Sequence, residues 1–330
     1  MPRQHPRFIV LISWLSLPLL AWLALTWGRF NFSWAQVWFG LWHPTAPGPG
    51  IILWTLRLPR IVGALLIGAA LACAGLAYQK NFANPLVSPD LLGVANGAAV
   101  GAAGAILLNA PWWLIQLMAF AGGLLAVTLA LLLPRLLHQP GKLALLLAGV
   151  VISGFMQAVL GLFKYLADPD SQLQSIVYWQ LGSLAKLDFP TLLAGLPSLA
   201  IGFGLLFALR WHLTGMATGM TTARSVGINP AEEQGLVVLA ATLLTASAVA
   251  LCGTIGWVGL VIPHLARMLI GDDARFSLPL AACLGAGFML VVDTLARCLS
   301  AGEIPLGILT GFIGTPVFIL LLAHQRGFKK

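Results

Sequence analysis

Ten apolar stretches alternate with short polar ones along the 330-residue chain, at about 8–28, 61–79, 91–109, 112–134, 143–166, 190–210, 235–253, 255–270, 278–299 and 305–323. A helix of roughly 20 apolar residues crosses a hydrocarbon core. The stretches are long and continuous, where strands of a membrane barrel would be short and alternating. The expected fold is therefore all-α, a membrane protein of about ten transmembrane helices. The run 255–270 is the most broken, by Gly256, Gly259 and Pro263. The first run follows Arg3 and Arg7, exceeds a signal-peptide core and lacks a small-residue cleavage site, so it reads as a retained span. No repeat and no Pro/Ser-rich linker divides residues 1–330, which read as one transmembrane domain.

The stretch Arg57–Gly104 has the most internal pattern. Pro59 lies between Arg57 and Arg60, and proline suits the first turn of a helix, where its missing N–H costs nothing. Ile61 to Ala77 carries no charge. A polar turn follows with Lys80, Asn81, Asn84, Pro85, Ser88, Pro89 and Asp90, and then a run dense in Gly and Ala. Such small residues let helix backbones approach closely in lipid. The stretch reads as a membrane hairpin with charged ends.

Composition excludes a soluble protein. Hydrophobic residues make up 59% and charged residues 8%, against a usual charged share of about 25%. Mean hydropathy is +0.93. Cys73, Cys252, Cys283 and Cys298 are scattered, which excludes a disulfide framework or a Cys-based metal site. Charge sets the orientation. With ten spans, the side holding Arg3, Arg7, Lys80, Arg135, Lys142, Arg210, Arg224, Arg267, Arg275, Arg326, Lys329 and Lys330 has twice the Lys and Arg of the side holding Arg29, Arg57, Arg60, Lys164, Lys186 and Arg297. Cytoplasmic loops carry the excess, so both termini are expected in the cytoplasm. The external segment 29–60 carries Trp34, Trp38 and Trp42 and reads as interfacial, and 168–189 is consistent with a short interfacial helix.

Candidate chemistry is sparse. Gly141-Lys142 lacks the upstream Gly and the Ser/Thr of a nucleotide-binding loop, and no zinc-protease or nucleophile-elbow motif occurs. No catalytic residue, metal site or cofactor is expected. Ion-coupled transport usually leaves acids inside the membrane, yet Asp293 alone falls within a span. It precedes Arg297 by four residues, the spacing of a helical ion pair. Glu303 stands before Pro305, where a carboxylate suits a helix start. His264 reads as structural. In the internal loop 211–234, Thr221–Val226 reads as a short helix ended by Gly227, and Asn229 caps a second helix that begins at Pro230.

Taken together, RLPR at 57–60, NPLVSPDLLGVANGA at 84–98, Leu147-Ala148-Gly149, Gly253–Arg267 and Glu303–Phe318 resemble the permease family of bacterial ABC importers for iron–siderophores, haem and vitamin B12. The resemblance covers nearly the whole chain, with Trp257 where Phe is common. It implies a multi-pass permease of the bacterial inner membrane that is not itself an enzyme, ATP being hydrolysed by a partner subunit. It places the ATPase contact at Thr222, Ala223, Val226, Gly227 and Ile228, with Val226 where the family has Leu. It assigns Arg57, Arg60 and Arg297 to docking of a periplasmic substrate-binding protein. Asn84, Pro85, Leu86, Gly141 and Lys142 become a cytoplasmic gate, and Asn96, Gly97, Gly256 and Gly259 candidates for the pathway wall. The implied partners are a second copy or a homologous permease, ABC ATPase subunits, the binding protein and membrane lipid, with no nucleic acid. The commonest cargo in the family is an iron(III)–siderophore; haem, cobalamin and molybdate stay open. The rival from another class is a stand-alone secondary transporter or channel.

Overall fold

The computed structural model describes residues 6–28, 30–138, 141–216, 230–300 and 302–327. Helix α1 spans Pro6–Thr26, α2 Trp34–Trp42, α3 Pro49–Ile52, α4 Leu58–Asn81, α5 Val94–Leu107, α6 Trp112–Leu136 and α7 Lys142–Leu166. Then come α8 Gln172–Leu181, α9 Phe189–Ala208, α10 Arg210–Met216, α11 Pro230–Cys252, α12 Val258–Ile270, α13 Ala274–Leu299 and α14 Leu306–Gly327. No strand occurs among the described residues. Each of the ten apolar runs holds a helix. Seven helical stretches are long and apolar enough to cross a membrane, while α5, α12 and α14 form shorter apolar helices.

The short ones are short for local reasons. Before α5, Pro89–Leu92 winds into a 3-10 turn and Gly93 takes φ +83°, so the first residues of that apolar run are not α-helical. Before α12, Gly253 and Trp257 have φ +76° and +71°, and the backbone between them is not helical. The expectation for Pro59 needs correction. The α-helix proper does begin at Leu58, but α3 and a π turn over Leu53–Arg57 lead into it without a break. A proline ring collides with the carbonyl four residues back, here Thr55, and removes one hydrogen bond. The wider turn, closed by the Leu58 N–H on the Leu53 carbonyl, absorbs both. In the external segment, Ser33 and Gln36 form a reciprocal cap that starts α2, and α8 is the short helix expected within 168–189.

The chain forms two compact units. The first comprises 1–76, 183–196 and 256–330. In it α13 packs on α1, α12 and α14. A Cβ on Gly68 would sit 2.2 Å from the Gly285 carbonyl oxygen, and one on Gly75 only 1.9 Å from that of Gly259. The second unit comprises 77–182 and 197–255. There α5 packs on α6, α7, α8 and α11, and Gly97 meets Gly122 at the same close range. Tyr78 is fully buried and its hydroxyl lies 3.0 Å from that of Thr242.

Adding even one carbon at the α4–α12 contact forces backbones apart, and overpacking of a tight interior costs ~1–3 kcal/mol. Gly75→Ala is expected to lower the thermal midpoint of the purified protein clearly. Gly235→Ala, which meets open space, serves as the control. An unchanged midpoint for Gly75→Ala would show that the contact yields freely.

Candidate functional site: an arginine cavity and its carboxylates

The first unit gathers three arginines and two acids around one cavity of about 230 Å³, lined by Gly28, Phe30, Leu56, Arg57, Arg60, Ala185, Arg297 and Glu303. The π turn delivers Arg57, and Arg60 follows three residues on, on the same helix face. Arg60 divides its fork. Its Nη2 donates to Asp293 Oδ1 at 2.7 Å and its Nε to the same oxygen at 3.2 Å. Its Nη1 donates to Glu303 Oε2 at 2.8 Å and Oε1 at 3.0 Å. Asp293 has no solvent exposure. Its other oxygen lies 3.1 Å from Arg297 Nε, a charge contact between i and i+4. Arg297 also donates to the Ala24 carbonyl and the Thr294 hydroxyl. Arg57 donates to the carbonyls of Leu25 and Phe30 and lies over the Phe32 ring. No carboxylate among the described residues pairs with Arg57.

The expected Asp293–Arg297 pair is present. The larger contact, Arg60 with Asp293 and Glu303, spans more than 230 residues of sequence and was not legible. Glu303 does not serve a helix start as expected. Its backbone takes φ +53°, and its carboxylate turns to Arg60.

Thr222, Ala223, Val226, Gly227 and Ile228 lie outside the described residues. At the turn after α4, Asn84 Oδ1 accepts from the Leu86 N–H at 3.0 Å, while Pro85 and Leu86 are exposed. Gly141 has φ +147°, and Lys142 Nζ donates to the Asn81 carbonyl, placing a cation on the C-terminal end of α4, where the helix dipole favours it. Asp90, in the same connection, is half-buried, and desolvation lifts its pKa to about 6. Asn96 is partly exposed and accepts from Gln157 Nε2 at 2.7 Å. Gly256 faces open space. Gly97 and Gly259 are buried in backbone contacts. His264 is buried beside Phe318, ring centroids 6.4 Å apart, as a structural residue would be. Trp257 packs on Gly314 and meets Phe318 edge to face.

An all-helical chain with seven helical stretches long and apolar enough to cross a membrane, and a charged cavity at helix ends, has the architecture of a many-span membrane protein. Residues 16–324 match the FecCD transport family, and the chain belongs to it. It is 35% identical to the molybdate import system permease protein of Haemophilus influenzae, over 99% of this chain and 98% of that one. It is 39% identical to a probable iron chelatin transport system permease protein of Helicobacter pylori, over 84% of each. A solved metal-chelate type ABC transporter in an inward-facing conformation superposes with a TM-score of 0.89 at 35% identity, covering 97% of this chain and 100% of that one. The protein is thus the permease subunit of an ABC importer, a multi-pass protein of the bacterial cytoplasmic membrane.

Removing one partner of a buried ion pair costs ~3–5 kcal/mol, because the other charge stays buried and unpaired. Asp293→Asn leaves Arg297 in that position and leaves Arg60 with Glu303 alone. A large fall in thermal midpoint is expected in detergent, and Glu303→Gln, at the exposed side of the same fork, should cost much less. Equal effects of the two substitutions would contradict the central place given to Asp293.

Proposed function

We propose that this permease forms half of a translocation pathway for a metal chelate, completed by a second copy or a homologous permease about a two-fold axis. ABC ATPase subunits bind its cytoplasmic side, a periplasmic binding protein delivers the cargo, and membrane lipid surrounds the spans. The arginine cavity supports the docking part of this reading. Three guanidiniums face two carboxylates there, and among the described residues Arg57 has carbonyl and ring partners, so one further carboxylate from a partner would balance the charge. Arginine suits that role through its planar fork of donors. The charge asymmetry of the loops puts this end outside, where a binding protein would meet it. Arg60 and Arg297 are held by Asp293, so they set the field of the cavity while Arg57 takes the incoming group.

Coupling is assigned to Thr222, Ala223, Val226, Gly227 and Ile228, and the internal gate to Asn84, Pro85, Leu86, Gly141 and Lys142. Loss of ATPase co-purification on Gly227→Val, and a cross-link between two copies carrying Leu86→Cys, are the matching checks.

The cargo reading is an iron(III)–siderophore, supported by the iron chelatin relative and by the metal-chelate structural neighbour. A second reading, molybdate, is favoured by the relative that aligns over 99% of the chain. Uptake by vesicles holding the full importer separates them. Labelled ferric siderophore accumulating with ATP while labelled molybdate does not is the expected result. The reverse pattern installs molybdate, and accumulation without any ATPase subunit would support a stand-alone transporter.

Charge complementarity across an interface acts mainly on specificity and association rate. Arg57→Glu is therefore expected to slow capture of the loaded binding protein by ~10-fold or more at low salt, with basal ATPase activity retained. A Glu→Arg change on the binding protein should recover part of the loss. Unchanged capture and salt dependence would remove the cavity from docking.

A further inference from the structure

A second concavity of the first unit abuts the arginine cavity. It is an apolar groove of about 320 Å³ between α1 and α13, lined among others by Leu23, Trp27, Leu290, Val291, Leu295 and Cys298. Several of these side chains, including Trp27, Val291 and Cys298, are exposed. The groove and the cavity share their boundary. Ala24 and Thr294 line the groove and accept hydrogen bonds from Arg297, which lines the cavity. Trp27 ends the groove where Gly28 begins the cavity, and a Cβ on Gly28 would lie 3.1 Å from Arg57 Nη2 and 3.5 Å from Arg297 Nη1. The concavity is thus a hydrocarbon-lined trough with a tryptophan at its mouth and guanidiniums beyond.

We propose that this groove binds one anionic phospholipid, with an acyl chain along α1 and α13 and its phosphate at Arg57 and Arg297. Two features select this occupant. The groove is continuous with the surface of α1, a span of which only 17% is buried inside the protein and which is therefore open to acyl chains. Its basic end carries more arginines than carboxylates, complementary to an anionic headgroup at the interface depth that tryptophan prefers. The headgroup end shares Arg57 and Arg297 with the proposed docking site, whereas the acyl groove does not, so lipid binding by the permease alone is read without the binding protein.

The test is native mass spectrometry of the detergent-purified full chain titrated with palmitoyl-oleoyl phosphatidylglycerol or the same-chain phosphatidylethanolamine. The wild type is expected to bind one phosphatidylglycerol about fivefold more tightly than phosphatidylethanolamine. Val291→Trp, which fills the groove at an exposed position, should weaken both lipids. Arg57→Gln should remove the preference, weakening phosphatidylglycerol more than phosphatidylethanolamine, whose ammonium already offsets its phosphate. Cys298→Phe at the mouth repeats the occlusion test should Val291→Trp lower the melting temperature. Equal affinity for the two lipids in the wild type, or wild-type binding by both occluded variants, overturns the proposal. So does a preference that survives Arg57→Gln.

Discussion

A carboxylate sealed inside a membrane span is the constraint on which the external end of this protein depends. Asp293 has no solvent exposure, and an unpaired charge there would cost more than most folds can carry. Two arginines answer it from different places: Arg297 one turn along the same helix, and Arg60 from α4. Once Arg60 is drawn in, its remaining donors need acceptors, and Glu303 supplies them from the connection before α14. One buried charge therefore ties α4, α13 and that connection together. It leaves Arg57 beside the end of α1 with carbonyl partners and an unbalanced charge.

This arrangement requires α4 and α13 to approach closely, and lipid supplies no hydrophobic force between helices. The approach is made by glycines. Gly68 and Gly285 meet backbone to backbone, as Gly75 and Gly259 do, so dispersion contacts and aligned polar groups act at short range. The second unit uses the same device at Gly97 and Gly122. Breaks in helical order occur at Gly253–Trp257, where buried and half-buried residues alternate, and at the π turn ahead of Pro59, where Leu53 and Arg57 are buried. There neighbouring groups can satisfy the freed backbone.

Much of the architecture was legible without coordinates. The ten apolar runs, the helix at 172–181, the Asp293–Arg297 spacing and the family resemblance all follow from order and composition. They are local quantities: length against membrane thickness, side-chain period along one helix, motif order along one chain. Where local reading erred, a neighbour intervened. Pro59 was expected to open a helix and instead follows a π turn. Glu303 was expected to serve a helix start and instead binds Arg60.

By itself, the amino-acid sequence determined that this chain is a helical membrane protein, where its spans lie and which family it belongs to. The energy of placing a residue in lipid depends on that residue and its near neighbours, so it can be read in order. Only the tertiary structure decided that Arg60 pairs with Asp293 and Glu303, that Arg57 is left for another group, and that an apolar groove ends at the same arginines. Those outcomes depend on which residues from distant parts of the chain come together, Arg60 and its two carboxylates lying more than 230 positions apart. A run of apolar letters does not encode that choice, because any of ten similar helices could have supplied the contact.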